Sequence, residues 1–160
     1  GESFSMDHEK GEVKKEVSKR KKLSSESLAQ LIAVYAQNEQ LHGSFFTYNA
    51  ESVEKNSLAL RDVVLKISDE KLKKKFKRTL AQLEKINKAQ DQEKNYHLYH
   101  QVSKKLIEVL RAYDLGSTYN VYSCPMVKKA WVQNSKKMDK VHNPYASYMP
   151  HCGTKDTNFN

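Results

Sequence analysis

The sequence predicts an all-α protein, an antiparallel four-helix bundle with an irregular, Cys/Met-rich C-terminal extension packed on it. Four stretches within residues 24–116 carry apolar side chains at intervals of three and four, which is the period of an amphipathic helix. The connections between these stretches are short, and short connections favour antiparallel neighbours in a bundle. Beyond residue 116 no long helical stripe continues.

Residues 1–23 precede the first periodic stretch and are predicted to form a disordered basic leader. They carry many charges and almost no apolar periodicity, so they lack the apolar surface that folding requires. The chain begins Gly1-Glu2-Ser3 and shows neither a signal peptide nor a membrane span. This beginning is compatible with an export signal or a lipid anchor that once preceded Gly1.

Polar side chains that can cap a first helical turn precede each predicted helix. Gly43 is expected to interrupt the first helix near His42, and Gly116 to end the fourth. The predicted caps are Ser24 or Ser25, Asn49, Ser68-Asp69 and Asp91. The predicted core positions are Leu28, Leu31, Ile32, Tyr35, Val53, Leu60, Val63, Val64, Ile67, Leu72, Phe76, Leu80, Leu83, Ile86, Tyr99, Val102, Leu106, Val109, Leu110 and Tyr113.

Residues 117–160 contain both cysteines, all three prolines, the tryptophan and three of the four methionines. Val121-Tyr122 could form a short strand, and the prolines with Gly153 divide the rest into turns. This segment is expected to pack on the bundle and to belong to the same domain.

Sulfur and imidazole side chains gather in two short parts of this segment, Cys124-Pro125-Met126 and Met149-Pro150-His151-Cys152. Thiolate and thioether ligands select soft ions, and copper(I) accepts both. Silver(I) is a close mimic, zinc makes little use of thioethers, and calcium and magnesium require oxygen ligands. The predicted metal ligands are Cys124, Met126, Met149, His151 and Cys152.

A disulfide between Cys124 and Cys152 is the alternative, since the chain has only these two cysteines. In an oxidising compartment such a bond would contribute about 3 kcal/mol by loop-entropy arguments. The two hypotheses are compatible if reduced thiols bind the ion and oxidation closes the site.

Net charge is +9, and dense lysine runs occupy the leader and the third predicted helix. A solvated helix face or a surface for an acidic partner would account for these runs, and no motif supports specific nucleic-acid recognition. Catalysis is not expected, because His151 adjoins Cys152 but adjacent residues seldom orient as a nucleophile and its base, and no glycine-rich phosphate loop occurs. A non-metal interaction module with a Cys124–Cys152 disulfide and a basic docking face is therefore the alternative function.

The tail resembles a bacterial family of periplasmic domains of unknown function. The residues that carry the resemblance are Val121-Tyr122-Ser123-Cys124-Pro125-Met126, Ala130-Trp131, Asn143-Pro144-Tyr145, Met149 and Cys152-Gly153. They follow the pattern C-P-M … W … N-P-Y … M-x-x-C-G, which occurs in single exported proteins and at the C-terminus of heavy-metal (copper/silver) efflux adaptor proteins.

The resemblance implies a location in the periplasm or bacterial cell envelope and a role in metal homeostasis. Carried over by position, Cys124, Met126, Met149 and Cys152 would be the motif residues, whereas His151 lies outside the motif. The expected function is a periplasmic heavy-metal-binding protein that sequesters copper(I) or delivers it in efflux. Its expected partners are the metal ion and a component of a heavy-metal efflux pump.

Overall fold

The computed structural model describes residues 19–159, in which four helices are followed by a small antiparallel sheet. The helices are α1 (Ser25–Phe46), α2 (Ala50–Val64), α3 (Glu70–Lys85) and α4 (Gln92–Ala112). The strands are β1 (Tyr119–Cys124), β2 (Lys129–Asn134) and β3 (Thr154–Lys155). Most of the predicted leader, residues 1–18, lies outside the described residues. Within residues 19–159, no helix is long and apolar enough to cross a membrane.

The four predicted helices are present, and their predicted caps are confirmed. The Asn49, Asp69 and Asp91 side chains accept hydrogen bonds from the first turns of α2, α3 and α4. Ser24 caps α1 in the same way, by accepting a hydrogen bond from the Ser27 N–H at 3.1 Å. Side chains at the caps thus satisfy N–H groups that have no partner inside a helix.

Two predicted helix ends are wrong. Helix α1 continues through Gly43 to Phe46, since the burial of Phe45 outweighs the cost of about 1 kcal/mol that glycine adds to a helix interior. Helix α4 ends at Ala112, before Gly116, because Tyr113 turns extended and pairs with Lys21 in a parallel bridge.

Consecutive helices pack side by side, and α1 also faces α4 through large aromatic side chains. The Phe45 and Tyr99 rings stack with their centroids 4.4 Å apart, and the Tyr35 hydroxyl donates to the Leu106 carbonyl at 2.6 Å. Of the predicted core, Ile32 is 40 % exposed and therefore lies outside it. The remaining predicted positions are buried or pack against the core.

The prediction of an all-α fold is wrong, because residues 119–155 form a three-stranded antiparallel sheet and the protein is mixed α/β. The strand order is β2-β1-β3, with Tyr119 opposite Asn134 and Cys124 opposite Lys129 at the two ends of the hairpin. Trp131 of β2 is fully buried, and β2 packs on α4. The aromatic and β-branched residues of β1 and β2 suit such a surface.

Replacement of Tyr99 by phenylalanine is expected to destabilise the fold by about 1–3 kcal/mol. The buried Tyr99 hydroxyl donates to Asn38 Oδ1 at 2.9 Å, so its removal leaves a buried amide oxygen unpaired. Urea unfolding measures the change. Tyr148→Phe is the matched control, because Tyr148 is 75 % exposed and its replacement should have little effect. Equal stability of the two variants would contradict the assigned hydrogen bond.

Candidate metal site

The first half of the candidate site lies where the β1–β2 hairpin turns. Cys124 ends β1, and its carbonyl accepts the Lys128 N–H at 2.9 Å, which closes the loop formed by residues 125–128. The backbone N–H groups of Met126 and Val127 donate to the Cys124 sulfur. A sulfur that accepts backbone N–H groups is stabilised as a thiolate.

The second half of the site is a turn around the fully buried side chain of Asn143. The Asn143 amide donates to the Cys152 carbonyl at 3.0 Å and also to the Cys124 sulfur. Its Oδ1 accepts the Tyr145 N–H at 2.9 Å, and its own N–H donates to the Pro150 carbonyl at 2.8 Å. One side chain therefore joins the two cysteine segments.

Gly153 allows Cys152 to approach β1. Its φ is +142°, and an added Cβ would lie 2.7 Å from the Ser123 carbonyl oxygen and 3.0 Å from the Trp131 ring. Real Cβ atoms do not approach a backbone oxygen this closely. A residue with a side chain at position 153 would therefore push the Cys152 segment away from the sheet.

The structure brings the two cysteine sulfurs, 28 residues apart in the chain, to a separation of 2.8 Å. Both cysteines are free thiols, and Cys124 is buried (1 % exposed) whereas Cys152 is partly exposed. Burial opposes a charge on Cys124, but hydrogen bonds from Cys152, Val127, Met126 and Asn143 outweigh it and lower the pKa of Cys124. The hydrogen bond that Cys152 donates raises the pKa of Cys152. Cys124 is therefore the more acidic thiol of the pair.

The other predicted ligands differ in their settings, and none of their side chains contacts the two sulfurs in the part of the chain that the structure describes. The Met126 side chain is 70 % exposed. Met149 is partly buried, and its backbone N–H donates a hydrogen bond to the Ala146 carbonyl at 3.0 Å. His151 is exposed, and its Nδ1 donates to the Val141 carbonyl at 2.7 Å. Among residues 19–159, no group of three or more His, Cys, Asp or Glu side chains is placed to hold a metal. Any site here therefore depends on sulfur.

A histidine pair lies on the α1 side of the same turn. The His42 Nε2 lies 3.0 Å from His142 Nδ1 and 2.8 Å from the His142 carbonyl oxygen. The His142 ring stacks on Phe46 with a centroid distance of 3.5 Å. Burial, with the neighbouring His142, lowers the pKa of His42 to about 4. His42 is therefore neutral near pH 7 and anchors the segment that leads to Asn143.

Sequence reasoning missed a groove of about 510 Å³ beside Cys124. We call it the Cys124 groove. Its lining residues are His100, Ser123, Cys124, Pro125, Lys128, Lys129, Ala130 and Thr154. The adjacent lysines that follow Cys124-Pro125-Met126 were the available signal, but the helical prediction gave no reason to place His100 of α4 beside them.

Comparisons of the chain with protein-family models, with curated proteins and with solved structures find no match.

Removal of the Cys152 thiol is expected to raise the pKa of Cys124, because the thiolate loses a hydrogen-bond donor. Ultraviolet thiolate absorbance, followed against pH under reducing conditions, measures this change. In the wild type the first thiolate should form at a lower pH than in either Cys152→Ala or Cys124→Ala, since the two sulfurs titrate as a pair. Coincident first midpoints in all three proteins would contradict the hydrogen-bonded pair.

Proposed function

We propose that the protein binds copper(I) through the thiolates of Cys124 and Cys152. The observation that supports this proposal is the 2.8 Å separation of the two sulfurs, together with the lowered pKa of Cys124. Metal binding requires deprotonated ligands, so a lowered pKa reduces the free-energy cost of loading the site. The ion would displace the protons that the two thiols carry.

The donor set favours a soft ion of low coordination number over zinc. A structural zinc site requires four Cys, His or carboxylate ligands, and residues 19–159 place no group of three or more such side chains where it could hold a metal. Copper(I) is soft, prefers thiolates, and is stable with two of them.

Copper(I) loading requires the two sulfurs to move apart. If the bonds to the ion are near the roughly 2.3 Å of a zinc–thiolate bond, sulfurs on opposite sides of it must separate by about 1–2 Å more than they do now. Cys152 can supply this movement, because it is partly exposed and the adjoining β3 has only two residues. Cys124, buried at the end of β1, would stay in place.

Met149, Met126 and His151 are proposed as additional ligands. Met126 lies in the loop that supplies N–H groups to Cys124, and its exposed side chain is free to turn towards the sulfurs. A thioether needs no deprotonation, so it would add affinity without making binding more dependent on pH. The resemblance of the tail to efflux-associated domains supports sequestration or delivery of copper(I) in the bacterial cell envelope, with a heavy-metal efflux component as partner.

Simultaneous replacement of both cysteines by serine should abolish tight copper(I) binding. The expected loss exceeds the roughly 10- to 100-fold that follows removal of an outer-shell partner. Competition with a copper(I) chelator under reducing conditions measures the affinity. Met138→Leu is the matched control, because Met138 is a tail methionine outside the proposed ligand set and its replacement should leave affinity unchanged. Met126→Leu, Met149→Leu and His151→Gln would rank the additional ligands. Equal affinity of the wild type and the double-serine variant would refute the proposal.

The second candidate function is an interaction module in which the cysteines form a disulfide. Two observations favour it. The sulfurs need only a small further approach to bond, and basic side chains line a groove of about 700 Å³ between α3 and α4. Its charged lining residues are Lys74, Lys75, Lys77, Arg78 and Lys105. Such a surface suits an acidic polypeptide.

If this second function is correct, the protein should bind polyglutamate with an affinity that falls steeply with salt. Lys74→Gln combined with Lys77→Gln should weaken binding severalfold, because both side chains line the groove. Lys55→Gln combined with Lys66→Gln removes the same charge from exposed positions on and just beyond α2 and serves as the control. A thiol count on protein isolated without reductant should then find no free thiol. Two free thiols and equal effects of the two lysine pairs would exclude this function.

A further inference from the structure

The Cys124 groove places positive charge beside one cysteine of the pair. Lys128 and Lys129 line it, and no carboxylate does. Within residues 19–159, the ion pairs all involve other lysines and arginines, so these two ammonium groups are not neutralised by a protein carboxylate. An anion in the groove would therefore meet two positive charges that no protein carboxylate neutralises.

The backbone at Lys128 supports a role for its side chain. Lys128 has φ +57°, a left-handed conformation that glycine adopts without strain and that costs a residue with a Cβ about 1–2 kcal/mol. A side chain kept at such a position, at the mouth of a groove, is consistent with a functional contact. The turn that imposes this φ is the one that supplies N–H groups to Cys124.

The remaining walls of the groove fix its size and add no negative charge. His100 Nε2 accepts the Ala130 N–H at 3.2 Å, and burial together with nearby lysines lowers the pKa of His100 to about 4, so its ring is neutral near pH 7. Lys129 lies over the Tyr145 ring, with Nζ 5.9 Å from the centroid, which restricts its side chain. A volume of about 510 Å³ falls in the range of small-molecule sites.

We propose that the Cys124 groove binds a small anionic thiol, with its carboxylates on Lys128 and Lys129 and its sulfur at the cysteine pair. Charge complementarity selects the anion, and the adjacent sulfurs select a ligand that itself carries sulfur. The proposed binding of the anionic thiol rests only on the features of the groove. Its consequence for copper(I) rests on the proposed function.

The anionic thiol would deliver the ion by ligand exchange. A copper(I) ion bound by two thiolates of the small ligand would transfer to Cys124 and Cys152, with two new copper–sulfur bonds formed and the two old bonds broken. Each proton that the cysteine pair carries passes to a departing thiolate, so every proton lost by the protein leaves on a donor thiol. Copper stays in the +1 state, and no electron is transferred.

Oxidation of the reduced, metal-free protein by two disulfides tests the anion preference without copper. Oxidised glutathione carries carboxylates, and bis(2-hydroxyethyl) disulfide is neutral. With either reagent, the protein dithiol becomes the Cys124–Cys152 disulfide and two reagent thiols are released. Lys128→Gln combined with Lys129→Gln should slow the reaction with oxidised glutathione about fivefold to tenfold and leave the neutral reagent unaffected. High salt should remove the wild type's preference.

Lys55→Gln combined with Lys66→Gln is the matched control, because it removes the same charge from exposed positions on and just beyond α2, whereas the sheet packs on α4. Equal slowing by both lysine pairs, equal slowing with both reagents, or a preference that survives high salt would each overturn the groove proposal. Copper(I) titration of the wild type separately tests whether the protein binds this ion. A wild type that prefers the anionic disulfide yet binds no copper(I) would support the anionic-thiol site and refute the copper proposal.

Discussion

The arrangement of the tail depends on the buried amide of Asn143. It donates to the carbonyl of one cysteine and to the sulfur of the other, while its oxygen fixes the Tyr145 backbone. A buried amide that loses such partners costs about 1–3 kcal/mol for each polar group left unpaired. Residues 143–152 therefore have one well-satisfied arrangement, and in that arrangement the two sulfurs are in contact.

The bundle was predictable from sequence because its signals are local. Apolar spacing identified the four helices, and a capping side chain marked the start of each, as Asn49, Asp69 and Asp91 show. Of the sheet, sequence suggested only the short strand at Val121-Tyr122, because β1 and β2 are buried on both faces and lack the alternation of a half-exposed strand. Buried Asn120 and Gln133 interrupt the apolar pattern, and only the fold shows that Thr157 and Trp131 satisfy them.

The candidate site was predictable to a similar degree. Two cysteines in one aromatic, proline-rich segment were enough to suggest that Cys124 and Cys152 meet, since a chain with two such groups offers one pairing. The lowered pKa of Cys124 was not predictable, because it depends on backbone N–H groups and on Asn143. Two further features also depend on the fold. They are the solvent exposure of the Met126 side chain and the position of His100 of α4 in the lining of the Cys124 groove.

The glycine that follows Cys152 has a wider consequence. Because position 153 has no side chain, the C-terminal strand can pack against the hairpin between a backbone oxygen and an indole ring. A homologue that keeps both thiols but carries a larger residue at that point would have to shift the hairpin or the Cys152 segment. The contact between the sulfurs therefore also depends on a position that has no functional group at all.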